Sequence, residues 1–126
     1  MRVIIAGSRS ITSAQEVATA IARSGFVITE LISGGARGVD TLGEAWATKH
    51  KIPIRRFPAQ WLRYGKTAGF RRNEAMAQVA DALVAIWDGT SQGTSHMIAT
   101  ARQRGLRICV RQPVRGVNEH EQRSSF

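Results

Sequence analysis

Two glycine-rich stretches hold the residues best suited to chemistry in this chain. "ELISGGARGVDTLGEAWA" puts Gly34, Gly35 and Gly38 between an apolar run and a helical pattern, and "WDGTSQGTSHMI" puts Gly89 and Gly93 in a corresponding place further along. A third polar loop, "GSRS", contributes Gly7, Ser8 and Arg9. Glycine lets main-chain N–H groups turn toward an anion with no Cβ in the way, and a helix that follows adds unpaired N–H groups and the positive end of its dipole. Ser33, Ser91 and Thr94 add hydroxyls. The chemistry implied is phosphate binding. Neither GxxxxGK[ST] nor GxGxxG is present, so the usual nucleoside-triphosphate and dinucleotide fingerprints are absent.

The carboxylates near these loops are Asp40 and Asp88, with Glu74 further off. Asp40 stands in a first helical turn, where the dipole stabilises it without a ligand. Its closeness to a bound phosphate directs it toward ribose hydroxyls. Asp88 has a structural alternative too, tying its loop through an Asx-turn. His96 reads as helix surface.

A basic and aromatic run, "RRFPAQWLRYGKTAGFRRN", interleaves Arg55, Arg56, Arg63, Lys66, Arg71 and Arg72 with Phe57, Trp61, Tyr64 and Phe70. Cations meet phosphates and rings stack on bases, so the segment 55–72 is a candidate nucleic-acid surface. Taken singly, Trp61 and Phe70 read as plugs of the core or of a dimer interface.

These loops need a scaffold. Apolar runs at 3–6, 26–32, 82–87 and 106–110, with a weaker one at 52–57, read as strands. Helical patterns lie between them at 14–24, 39–50, 67–79 and 94–104, the first with Ser13 as N-cap and Gly25 as stop. Continuous apolar strands alternating with helices predict a parallel sheet covered on both faces. In such sheets ligands bind where strand C-termini feed helices, the position of all three loops.

Composition sets the outer limits. The 126 residues predict one domain over 1–113 with a flexible tail at 114–126, and 43% hydrophobic residues against 21% charged predict a soluble, cytoplasmic protein. No apolar run reaches the roughly 20 residues that span a bilayer, so no membrane partner is expected. Cys109, the single cysteine, excludes an internal disulfide and argues against a cysteine metal cluster, and neither metal nor cofactor is expected. Eighteen Lys and Arg against nine Asp and Glu give a net charge of +9, which favours anionic partners.

The run "GFRRNEAMAQVADALVAIWDGTSQGT" resembles the LOG proteins, nucleoside 5'-monophosphate phosphoribohydrolases, in which an Arg stands four residues before a Met, followed by an "ADA"-like strand start and the loop "PGGxGTxxE". Here Arg72 precedes Met76, Ala80-Asp81-Ala82 opens the strand, and Gly93-Thr94 matches the "GT". With "GSRS" and "SGGARGVD", the chain is similar to the small cpYpsA-related, YspA-like branch of the SLOG superfamily, which also includes DprA. There are two departures. "WDGTSQ" replaces "PGG" in a loop two residues longer, and Met97 occupies the place of the catalytic Glu. The Glu stabilises oxocarbenium-like charge, so its loss leaves the binding half of the machinery.

The resemblance implies a Rossmann-like three-layer sandwich with a five-stranded parallel sheet in the order 3-2-1-4-5, and a homodimer or higher homo-oligomer. Arg72 is expected to pair with the ligand's phosphate or with a second anionic group, and Asn73, which can both donate and accept, to read the base or ribose. Three functions follow as expectations: a sensor or sequestering module for a nucleotide-type small molecule; a phosphoribohydrolase-like enzyme in which Arg72 acts with Asp88, Asp40 or Glu74; and a DprA-like single-strand binder.

Overall fold

The computed structural model describes residues 1–113; the tail expected at 114–126 lies outside the described residues. Five strands, β1 (Arg2–Gly7), β2 (Glu30–Ser33), β3 (Ile54–Arg56), β4 (Ala82–Ile86) and β5 (Arg107–Arg111), form one sheet in the order β3-β2-β1-β4-β5. Every pairing is parallel. The helices are α1 (Ala14–Ser24), α2 (Val39–Lys49), α3 (Trp61–Tyr64), α4 (Ala68–Val79) and α5 (Gln92–Gln103), with a 3₁₀ turn, Gly65–Thr67, leading into α4. The order expected from the sequence is the order found.

Alternation along β1 divides the core. Val3 and Ile5 point to one face and join Val17, Ile21 and Val39 under α1 and α2. Ile4 and Ala6 point to the other and meet Met76, Met97 and Ile98 under α4 and α5. All five residues of β4 are buried, because this strand is covered on both faces and paired on both edges.

The end signals of α1 act as expected: Ser13 accepts from the Glu16 N–H at 3.2 Å, and Gly25 closes the helix at φ 72°. The second strand is shorter than its apolar run. Its ladder opens at Arg2↔Glu30, where β1 itself begins, so residues 26–29 lie ahead of the ladder, held there by Met1 through Val27 and Thr29, and the Val27 side chain is left exposed. Between β3 and α4 the chain forms α3 and the 3₁₀ turn, which matters for the site.

Candidate functional site

Sequential strands run from β1 toward β3 on one side and then restart at β4 on the other, so the order reverses between β1 and β4. A cleft of about 500 Å³ opens beside their C-terminal ends. Ala6, Gly7, Met76 and Met97 line it from the core side.

Arg72 organises one wall. From α4 its Nη1 donates to the carbonyl of Gly34 at 2.6 Å and its Nε donates to Oδ1 of Asn73 at 3.0 Å. Asn73 is buried, and its Nδ2 donates to the Gly93 carbonyl and to Nδ1 of His96, each at 3.2 Å. Two neighbouring residues of α4 thus tie the loop after β2 to the start of α5. A Cβ on Gly34 would fall 2.5 Å from Arg72 Nη1 and 3.0 Å from Asp40 Oδ2, so glycine here makes room for the guanidinium.

Asp40 sits buried behind this arrangement, its Oδ2 accepting from the Ala36 N–H at 3.2 Å. Burial pushes its carboxyl up to about 6, against the opposing pull of the Ala36 N–H and the Arg72 guanidinium. Desolvation therefore outweighs the helix-dipole stabilisation expected for a first-turn carboxylate. Burial, then the nearby Arg9 charge, lowers Arg72, while Asp40 opposes them; an arginine so placed remains a cation.

The other wall is the loop between β4 and α5. Asp88 Oδ1 accepts from the N–H groups of Thr90 at 2.8 Å and Ser91 at 2.9 Å, and these bonds hold its carboxyl down at about 2. This is the Asx-type tie that the sequence allows. Ser8 Oγ accepts from the Asp88 N–H at 3.0 Å and from Ser91 Oγ at 3.1 Å, fastening the loop after β1 to the loop after β4. Gly38 completes the frame: a Cβ there would lie 2.6 Å from the Ser8 carbonyl oxygen.

The resulting cleft presents three cations, Arg9, Lys66 and Arg72, and two carboxyls of opposite habit, Asp40 and Asp88. A model of the YspA, cpYpsA-related SLOG family matches residues 1–64. The chain belongs to that family. The Gene 61 protein of Mycobacterium phage D29 is similar to this SLOG chain, 32% identical over a 117-residue alignment, with 85% of this chain and 93% of the phage protein covered. No solved structure is a significant match.

Among the site residues expected from the sequence, Gly7, Arg9, Asp40, Arg72, Asn73, Asp88, Ser91, Gly93 and Thr94 line the cleft of this SLOG domain. Ser8, Ser33, Gly34, Gly35, Gly38 and Gly89 are not part of its lining. Ser33 is buried, donating to Glu44 at 2.6 Å and accepting from the Gly35 N–H at 3.1 Å, so this loop spends part of its hydrogen-bonding capacity on itself. Asn73, expected to read base or ribose, gives both ends of its amide to Arg72, Gly93 and His96.

The structure adds Trp61, Lys66, Phe70 and Gln92 to the lining. Trp61 and Phe70 do not plug the core: they are 54% and 42% exposed, because α3 and the first turn of α4 carry them onto the cleft. His96 is a half-buried ring stacked on Phe70 rather than helix surface. The basic run is dispersed. Arg55 lies over Phe57, Arg63 and Arg71 over Tyr64, and Arg56 pairs with Glu44, whereas Lys66 and Arg72 face the cleft. Among the described residues, no helix is long and apolar enough to cross a membrane.

Proposed function

We propose that the cleft binds a nucleotide or nucleotide-derived small molecule through its phosphate, and that the protein acts as a sensor or sequestering module. The observation that carries this reading is the convergence of Arg9, Lys66 and Arg72 on one cleft of about 500 Å³ at the sheet's switch point. That volume falls in the range of small-molecule sites. Family membership supports a nucleotide-related ligand. Met97 is 1% exposed and packed in the core where the LOG glutamate would stand, which favours binding without turnover.

One observation favours a hydrolase instead. Asp40 and Asp88 line the same cleft with protonation pushed apart, to about 6 and about 2. A carboxylic acid that can donate a proton beside an ionised carboxylate is the pairing that glycosidic cleavage employs. Against it, the Asp88 carboxylate is engaged by Thr90 and Ser91.

A panel of nucleoside mono- and diphosphates, assayed for both thermal stabilisation and released base, separates the readings. Stabilisation without base release supports the binding module. Multiple-turnover release abolished by Asp40→Asn establishes the hydrolase, and no stabilisation by any member of the panel sinks both.

A further inference from the structure

We propose that Phe70 is a stacking platform for the aromatic base of the ligand, so that recognition at this cleft requires a base as well as a phosphate. The inference rests on the nucleotide reading above and adds the part of the ligand that phosphate contacts leave unspecified.

Phe70 stands in the first turn of α4, 42% exposed and lining the cleft. One face is occupied: the His96 imidazole stacks on it with ring centroids 4.2 Å apart and planes 22° from parallel. The exposure that Phe70 retains therefore lies on its other face and its edges. The backing ring is itself held in place. His96 Nδ1 meets the Asn73 amide nitrogen at 3.2 Å, and Nε2 lies 3.5 Å from Thr100 Oγ1. Asn73 Nδ2 is a donor, so Nδ1 acts as acceptor and the imidazole is neutral, in keeping with the lowering of its pKa by burial. A neutral ring fixed behind Phe70 makes a rigid two-ring stack that a third planar ring can extend at little entropic cost.

The surroundings fit a base attached to a phosphate. Lys66 and Arg72 flank Phe70 in sequence and line the same cleft, so one short segment addresses both anion and ring. Trp61 is a second exposed ring in the lining. Its Cη2 lies 3.5 Å from the position of a Cβ on Gly69, which places it beside the residue preceding Phe70. Aromatic rings stack on every base, and removing such a stack lowers affinity roughly 5- to 150-fold.

The test is calorimetric titration of the full chain with adenosine 5'-monophosphate and with ribose 5-phosphate, using the wild type, Phe70→Ala and Phe70→Trp. The wild type is expected to bind the nucleotide at least about tenfold more tightly than the sugar phosphate. Phe70→Ala should remove that preference while leaving ribose 5-phosphate affinity within about twofold, and Phe70→Trp should retain it. Equal affinity of the wild type for both probes, or a nucleotide preference that survives Phe70→Ala, overturns the platform and leaves the phosphate site standing. If neither probe binds, the nucleotide reading itself fails and the platform with it.

Discussion

Arg72 and Gly34 are 38 residues apart in sequence, yet the guanidinium of the one donates to the carbonyl of the other at 2.6 Å, over the space where a side chain on residue 34 would stand. Much of the glycine in "SGGARGVD" is accounted for by this relationship. Gly34 gives way to Arg72, and Gly38 gives way to the backbone of Ser8 and Arg9. The loop is shaped first by the parts of the protein that close over it, and the cleft is what remains between them.

Gly34→Ala is expected to displace Arg72 and destabilise the fold by about 1–3 kcal/mol, the usual range for overpacking. Gly93→Ala is the matched control. It lies in the first turn of α5, and among the described residues nothing comes within 4 Å of an added Cβ, so its stability should be unchanged or raised by up to about 1 kcal/mol. Urea denaturation of the two variants checks the contrast.

Arg72→Lys should be nearly as damaging to anion binding as Arg72→Ala. The guanidinium spans Gly34 and Asn73 with two different nitrogens, which a single ammonium cannot reproduce in the same geometry. Titration with inorganic phosphate measures this directly; full affinity in the Lys variant would mean that Arg72 supplies only positive potential.

Asp40 predicts a pH dependence with a definite sign. Its folded-state pKa, about 6, is raised above the ordinary 3.8, so its contribution is fully favourable below about pH 3.8 and is lost as pH rises through about 6. Asp40→Asn should therefore gain stability over wild type at pH 8, by at most about 3 kcal/mol, with the gain vanishing near pH 4. His96 acts in the opposite sense. Its lowered pKa makes the protein lose stability as pH falls through and below the ordinary value of 6.5, but this contribution is common to both proteins and cancels in their difference. Thermal melts of the pair across pH 4–8 provide the check.

Met97→Glu would put a carboxylate where LOG proteins carry theirs, but here the position packs against the core beneath α5. The expected result is a loss of about 2–4 kcal/mol rather than a gain of activity, read by chemical denaturation. A variant with wild-type stability and base release would show that the position opens freely to the cleft.

The fold was legible because its signals are local. Ser13 and Gly25 bound α1, and the uninterrupted apolar residues of β4 announce a strand buried on both faces. The loops of the site were legible for the same reason. What their glycines and polar side chains do was not, because the reasons lie far along the chain: Gly34 answers to Arg72, and Ser8 to Asp88 and Ser91. Phe70 and Trp61 do not plug the core, although large apolar residues ordinarily point inward. Only the placement of α3 shows that these two line an open cleft.

We propose that Arg9, Lys66 and Arg72 together hold the phosphate of a nucleotide-type ligand in this cleft. The most direct test is calorimetric titration of wild type and an Arg9→Ala/Arg72→Ala double variant with adenosine 5'-monophosphate at one fixed ionic strength. One-to-one binding to the wild type is expected, with a loss of at least about a hundredfold in a double variant that still folds, since each charge-assisted phosphate contact contributes on the order of 1.5–3 kcal/mol. Equal binding by the two proteins would contradict it.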